Sequence, residues 1–210
     1  MPGPGQSQAT RERIVDAAAE VIERLGLARA TTREIARAAD YSEATIYKHF
    51  RDKGELVLEV VSERLPQFVA ALKRLLEHPG KGTVEGNLAD LAAEAVAFYA
   101  RLVPVTGGLF GEPALLTGHQ EMMAATGGGP HRGVEGLATY LRAEQRLGRV
   151  DPGADVEAGA ALLLGACFQR AFLVALAGRV PPGIEPDDTR FAAGVAATVL
   201  RGLAPRRGPQ

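Results

Sequence analysis

This sequence has little cysteine, no tryptophan and no excess of charge of either sign. The single cysteine in 210 residues excludes a disulfide framework and a cysteine-rich zinc module. Lysine and arginine number 24 against 25 aspartate and glutamate, a formal net charge of −1, so the chain is not a polybasic, histone-like protein. The first ten residues lack the apolar stretch of a signal peptide. These features predict a cytoplasmic protein with an ordinary apolar core.

One apolar segment, residues 158–178, approaches the ~20 residues that a membrane-spanning helix needs. Its centre carries Gln169 and Arg170, and an arginine at a helix midpoint costs roughly 2.5–3.5 kcal/mol on insertion scales. The sequence offers no second segment to pair with it. We therefore predict a buried helix of a soluble core and no membrane partner.

Apolar residues recur at helical spacing along the whole sequence, and no run alternates as a strand would, so we predict an all-α fold. From Lys53 the pattern predicts one helix of about 25 residues with a kink at Pro66. Further helices are predicted over 84–101, 112–125, 133–147, 155–178 and 187–203. The breaks between them contain glycine or proline, and 104–111 is one such break.

Capping signals stand close together near the N-terminus. Thr31 with Glu34 forms a capping-box pattern, Ser42 is a second N-cap candidate, and Asp52 with Glu55 repeats the first pattern. Two short helices joined by a turn of roughly three or four residues are the sequence form of a helix-turn-helix. Small helical bundles share this spacing, so spacing alone leaves DNA binding and a plain bundle equally open.

The residues themselves are more specific. The segments ATTREIA at 30–36, SEATIYKHF at 42–50 and DKGEL at 52–56 resemble the N-terminal domain of TetR-family transcriptional regulators. The resemblance implies a three-helix DNA-binding domain over 8–68, with its motif at about 31–50. A long helix would join it to a helical ligand-binding and dimerisation domain over 69–205. Asp40 departs from the pattern, since glycine is frequent there, but aspartate tolerates the left-handed conformation.

The DNA-binding candidates cluster at the predicted second and third helices. Small or hydroxylated residues at the start of the third helix would let it enter a major groove ~12 Å wide, and Lys48 could donate to guanine or phosphate. Glu43 either accepts from cytosine N4 or favours the helix N-terminus electrostatically, and we prefer the second interpretation. The resemblance implies backbone contacts for Tyr47, His49 and Lys53. The full candidate set is Thr32, Arg33, Ser42, Glu43, Ala44, Thr45, Tyr47, Lys48, His49 and Lys53.

The C-terminal half has a surplus of apolar residues and no catalytic constellation. Most of these residues are expected in the core, and some could line a cavity for an unknown small-molecule effector, as the resemblance implies. The pocket candidates are Phe68, Phe98, Leu102, Phe110, Met122, Met123, Tyr140, Phe168, Gln169 and Phe172. The four histidines are scattered and Cys167 has an apolar setting, so we expect no metal site, no cofactor and no enzymatic activity.

The last two predicted helices carry small residues four apart, which allow close approach of helix backbones. The resemblance implies that they form a four-helix bundle across a two-fold axis, and the interface candidates are Ala161, Leu162, Gly165, Ala193, Ala197 and Leu200. The alternative is that both helices close the core of one chain. A homodimer would read a palindromic double-stranded operator.

The favoured function is therefore a sequence-specific transcriptional regulator, a repressor that a ligand releases from DNA. Two alternatives stay open. One is an all-helical enzyme or small-molecule carrier that uses the C-terminal cavity, and the other is an interaction domain whose helix-turn-helix no longer binds DNA.

Overall fold

The computed structural model describes residues 4–63 and 66–204. Within them the chain is helical and contains no strand, which confirms the predicted all-α fold. The helices are α1 (Pro4–Leu25), α2 (Thr32–Ala39), α3 (Glu43–His49), α4 (Lys53–Glu63), α5 (Pro66–Glu77), α6 (Val84–Leu109), α7 (Pro113–Thr126), α8 (His131–Arg146), α9 (Val156–Ala177) and α10 (Asp188–Leu203).

The chain forms two compact units. The first comprises Met1–Leu65 with Arg101–Gly127, and the second comprises Pro66–Ala100 with Gly128–Gln210. Helix α6 therefore contributes residues to both. The sequence-based boundary between residues 68 and 69 separates a DNA-binding domain from a ligand-binding and dimerisation domain. This assignment of functions stays a prediction.

The first unit is built around α1. Its stripe of Ile14, Ala18 and Ile22 is fully buried, because residues four apart lie on one face of a helix. The stripe packs in one apolar cluster with residues of α2, α3 and α4, and the cluster also takes in Val105 and Leu109 from the end of α6. Burial of this face stabilises helices that are too short to be stable alone.

Proline at position 104 does not break the helix, so the break predicted at 104–111 begins too early: only residues 110–112 separate α6 from α7. Helix α6 continues through Pro104 to Leu109. Val105 and Leu109 are buried in the first unit, and a Cβ added at Gly108 would lie 2.4 Å from the Cβ of Leu27. Tertiary packing of this segment outweighs the hydrogen bond that a proline removes.

The single long helix predicted from Lys53 corresponds to α4, which is described up to Glu63, and to α5, which is described from Pro66. Residues 64–65, which would join the two, lie outside the described residues, so the single helix and its kink at Pro66 stay predictions.

In the second unit α5 packs on α8, α8 on α9 and α9 on α10. Close approach of α5 and α8 requires Gly136, since a Cβ there would lie 2.5 Å from a methyl of Leu72. Asp155 and Asp187 cap α9 and α10 by accepting hydrogen bonds from the backbone N–H of Ala158 and Arg190.

Two buried charges hold loops in this unit. The Glu144 carboxylate accepts from the backbone N–H of Gly80 at 2.9 Å and pairs with Arg149 at 3.3 Å. Arg170 lies 4.7 Å above the Phe191 ring and binds Asp188 at 2.6 Å together with two backbone carbonyls of the α9–α10 connection. Each buried charge lies beside an opposite charge, Arg149 for Glu144 and Asp188 for Arg170, which lowers the cost of its burial.

Helix α9 is, among the described residues, long and apolar enough to cross a membrane, yet only 33% of its most apolar stretch is buried. The prediction of a buried core helix therefore holds for one face only. That face includes Leu163, Leu164 and Cys167, while Leu162 is 66% exposed and Leu176 is 74% exposed.

Candidate nucleic-acid interface

Local hydrogen bonds define the start and end of α2 and α3. The Thr31 hydroxyl accepts from the N–H of Glu34, and the Ser42 hydroxyl accepts from the N–H of Thr45, as both capping patterns predict. Between the helices Asp40 adopts the left-handed conformation at φ 61° and ψ 41°. The turn is therefore three residues long, and its geometry fits a helix-turn-helix.

Helix α3 has two distinct faces. Ile46 and the following Phe50 are buried in the apolar cluster, as predicted for Phe50. The Arg11 guanidinium lies 4.6 Å above the centre of the Phe50 ring and forms an ion pair with Glu59. The opposite face is open to solvent. Ser42, Glu43, Ala44, Tyr47 and Lys48 are exposed, and Thr45 and His49 are half-buried.

The open face carries a small polar network. The Thr32 hydroxyl, at the first position of α2, donates to the Glu43 carboxylate at the first position of α3. The Tyr47 hydroxyl lies 3.4 Å from the same Thr32 oxygen. The structure thus brings together three of the residues that the sequence identified as DNA-binding candidates.

Lys53 is anchored next to this face. Its ammonium donates to the backbone carbonyl of Leu27 at 2.8 Å. An ammonium has three N–H donors, so two remain for an anion. Arg33 and Lys48 add exposed positive charge, and Arg51 donates to Glu55 at 3.3 Å.

Sequence reasoning missed the residues that support the turn from behind. Arg13 lies 5.1 Å above the Tyr41 ring and donates to the backbone carbonyl of Ala39 at 3.3 Å. Both contacts span more than 25 positions of sequence, so no local pattern signals them. They fix the last turn of α2 and the start of the connection to α3.

The predicted pocket residues are divided between the two units. In the second unit Phe68 stacks on Phe98 at 5.1 Å, Phe98 contacts Tyr99 at 5.0 Å, and Tyr99 meets the edge of Phe168 at 5.5 Å. Phe172 continues this aromatic row at 6.3 Å from Phe168. Burial raises the pKa of Tyr99 to about 12.

Two further candidates of the second unit lie apart from the row. Tyr140 is fully buried and accepts from the Asn87 amide at 2.7 Å, while Gln169 is exposed. The other four candidates belong to the first unit. There Leu102 packs against the apolar cluster, Met122 and Met123 are half-buried, and Phe110 is 75% exposed.

A polar cleft of about 460 Å³ lies elsewhere in the second unit, between the end of α5 and the start of α6. Its lining includes Arg74, His78, Lys81, Asp90 and Glu94, which are charged or titratable residues of both signs. Sequence reasoning did not identify this cleft, because its residues come from two helices and the loop between them.

The predicted interface residues all belong to the second unit. On α9, Ala161, Leu162 and Gly165 are exposed; on α10, Ala193 is exposed and Ala197 and Leu200 are half-buried. Among the described residues no three histidine, cysteine, aspartate or glutamate side chains could together hold a metal ion.

The geometry defines a helix-turn-helix protein with a second, all-helical unit. Residues 14–60 match the family model of bacterial regulatory proteins of the tetR family. An uncharacterised helix-turn-helix transcriptional regulator of Bacillus subtilis, YvkB, is 43% identical over 54 residues, which cover 26% of this chain and 29% of that protein. The matches to the curated relatives span less than half of the relatives' own length.

Solved structures are similar over nearly the full length. The regulator FadR of Bacillus subtilis, in complex with stearoyl-CoA, has a TM-score of 0.69 at 20% identity and covers 91% of this chain and 98% of its own. SmeT, the repressor of the Stenotrophomonas maltophilia efflux pump SmeDEF, also has a TM-score of 0.69 at 20% identity, covers 94% and 92%, and has been solved with triclosan. Residues 14–60 of this chain therefore match the tetR family of bacterial regulatory proteins, and the chain as a whole shares the fold of these solved structures.

Proposed function

We propose that the protein is a sequence-specific DNA-binding transcriptional regulator whose α3 enters the major groove. The observation that carries the proposal is the open face of α3, which presents Ser42, Ala44, Tyr47 and Lys48 while Ile46 anchors the helix in the core. Small side chains in the first turn permit close approach to base edges, and Lys48 can donate to guanine. The domain from 8 to 68 holds this function.

We further propose that two copies bind one palindromic operator. Two recognition helices meet successive major grooves only when they stand about 34–36 Å apart, so one chain is not enough. The exposed side of α9, with Ala161, Leu162 and Gly165, offers an apolar surface to a second copy. α10 would contribute Ala193, Ala197 and Leu200 to the same interface.

The proposed effector is an apolar or aromatic small molecule, and its binding releases the protein from DNA. The aromatic row of Phe68, Phe98, Tyr99, Phe168 and Phe172 supports this class of ligand. Stearoyl-CoA and triclosan, the ligands of the two solved relatives, belong to the same broad chemistry. A repressor of this kind works in the cytoplasm, where its operator is.

The test begins by selecting a binding sequence from a pool of random DNA duplexes and measuring affinity by fluorescence anisotropy. Lys48→Ala should lower specific affinity by roughly 1–3 kcal/mol if Lys48 contacts a base. A matched control is Lys73→Ala, which removes a positive charge from an exposed position of α5 in the second unit. Wild-type protein that selects no sequence, or unchanged binding in both Tyr47→Ala and Lys53→Ala, would contradict the proposed interface.

A further inference from the structure

The hydroxyl groups of Thr32 and Tyr47 are engaged within the protein itself. Thr32 is nine-tenths buried, and its hydroxyl donates to the carboxylate of Glu43. The Tyr47 hydroxyl lies 3.4 Å from the hydroxyl oxygen of Thr32. A hydroxyl has a single O–H donor, so Thr32 cannot donate to Glu43 and to a phosphate at the same time.

A phosphate oxygen that approaches Thr32 must therefore displace the Glu43 carboxylate. If the carboxylate stays, two like charges face each other across the hydroxyl, which is unfavourable near a DNA backbone. If it leaves, the hydrogen bond between α2 and α3 is lost. In either case binding to any duplex carries a cost that does not depend on its sequence.

A base pair can recover that cost. Once displaced, the carboxylate of Glu43 stands at the first position of α3, exposed on the side that faces the proposed groove. In the major groove cytosine N4 and adenine N6 carry amino groups, from which a carboxylate can accept a hydrogen bond. Guanine and thymine present only acceptors or a methyl group there.

We propose that Glu43 is a specificity-determining residue that occupies the place of a phosphate in the DNA-free protein. Glu43 lowers the affinity for every duplex. The lost affinity is regained only where a cytosine or adenine amino group faces the start of α3. The proposal rests on the proposed DNA binding and adds that an internal carboxylate restricts it.

The experiment compares a random-sequence duplex with the selected operator. Glu43→Gln keeps an oxygen that can accept from Thr32 but removes the charge. Affinity for the random duplex should rise roughly 3- to 10-fold, while affinity for the operator should rise less or fall, so the ratio of the two affinities decreases.

A matched control is Glu34→Gln. Glu34 lies on α2, carries the same charge and pairs with Arg37 at 3.4 Å. The Glu34→Gln substitution removes one negative charge nearby and leaves the hydrogen bond between Thr32 and Glu43 in place. An equal effect of the two variants on both duplexes would overturn the proposal, because charge alone would then explain the gain.

A double-mutant cycle tests the route through Thr32. Thr32→Val removes the hydroxyl and keeps the side-chain shape. In that background the gain from Glu43→Gln on random DNA should shrink to that of Glu34→Gln, and an undiminished gain would overturn the proposal. A lowered unfolding midpoint in Glu43→Gln, with weaker binding to both duplexes, would also overturn it by assigning Glu43 a structural role.

The outcomes also separate this proposal from the proposed function. If wild type binds its operator and Glu43→Gln behaves as Glu34→Gln does, only the role of Glu43 fails. If neither wild type nor Glu43→Gln binds any duplex at low salt, the proposed DNA binding is wrong, and the proposed role of Glu43 is wrong as well. Binding of random DNA by Glu43→Gln alone would support the proposal strongly.

Discussion

The two units distribute polarity in opposite ways. The first encloses a continuous apolar cluster, and its large exposed apolar side chains are Tyr47 and Phe110. The second buries the charges of Glu144 and Arg170 and, among its described residues, leaves seven large apolar side chains exposed. These are Val69, Leu76, Leu147, Leu162, Phe168, Phe172 and Leu176.

This difference indicates which of the two units has apolar surface that remains exposed. The first unit encloses its apolar cluster and exposes Ser42, Glu43 and Lys48 on the open face of α3. The second leaves an apolar stripe along α9 uncovered, and exposed apolar patches rimmed by polar residues mark sites of association.

Removing an aromatic ring from the first unit should have the largest effect. Phe50→Ala should lower the free energy of unfolding by about 3–5 kcal/mol, because Phe50 is fully buried and the change leaves a cavity. Chemical denaturation with circular dichroism measures it. Tyr47→Ala, three residues earlier and 52% exposed, is the matched control and should change stability little while weakening DNA binding. Equal stability losses would contradict the two-faced arrangement of α3.

A charge on the exposed stripe of the second unit should separate the subunits of the proposed dimer without unfolding them. Leu162→Arg should weaken dimer association at least about 100-fold, or ~2.7 kcal/mol, as measured by analytical ultracentrifugation across a concentration series. Leu147→Arg is the control, since Leu147 is 54% exposed in the same unit but lies at the end of α8. A Leu162→Arg protein that stays dimeric would place the interface elsewhere.

The buried charge of Glu144 should contribute more to stability than an exposed one on the same helix. Glu144→Gln should cost about 1–3 kcal/mol, since it removes the ion pair with Arg149 and leaves that cation beside buried polar groups. Glu135→Gln breaks an exposed pair with Arg132 and should cost under about 0.5 kcal/mol. Thermal unfolding of both variants measures the two losses of stability. Similar losses would show that burial of the Glu144 carboxylate does not increase its contribution to stability.

The smallest effect concerns the pH dependence of the second unit. Burial raises the pKa of the Cys167 thiol to about 12, against about 8.5 for an unfolded chain. The folded state holds the proton more tightly, so this contribution to stability is full below about pH 8.5 and is lost as pH rises toward 12.

The measurement is the free energy of unfolding between pH 8 and pH 10. Wild type should lose about 2 kcal/mol more than Cys167→Ser over this range, because only the wild type carries the thiol that ionises on unfolding. Parallel curves for the two proteins would show that the thiol is not shielded in the folded state.

The sequence predicted those parts of the fold that short-range interactions determine. Thr31 and Ser42 each cap a helix by accepting a hydrogen bond from the backbone N–H three residues later, so the sequence signal and its structural effect lie close together. The left-handed Asp40 is likewise a property of one residue and its neighbours.

Long-range contacts were outside the reach of local patterns. The helix through Pro104 depends on burial of Val105 and Leu109 in a cluster formed mainly by residues before position 61. The hydrogen bond from Gly80 to Glu144 spans 64 positions. In the candidate interface, the residue types at Thr32 and Glu43 predicted proximity to DNA, but nothing in their spacing predicted that they bind each other.

The participation of α6 in the first unit bears on how the protein is made. The apolar cluster around α1 includes Val105 and Leu109, so its last members are synthesised after residues 66–100 of the second unit. A ribosome adds roughly 5–20 residues per second, which leaves the α1–α4 segment without these partners for several seconds. The first unit of a nascent chain therefore completes its apolar core only after residues 66–100 of the second unit have been made.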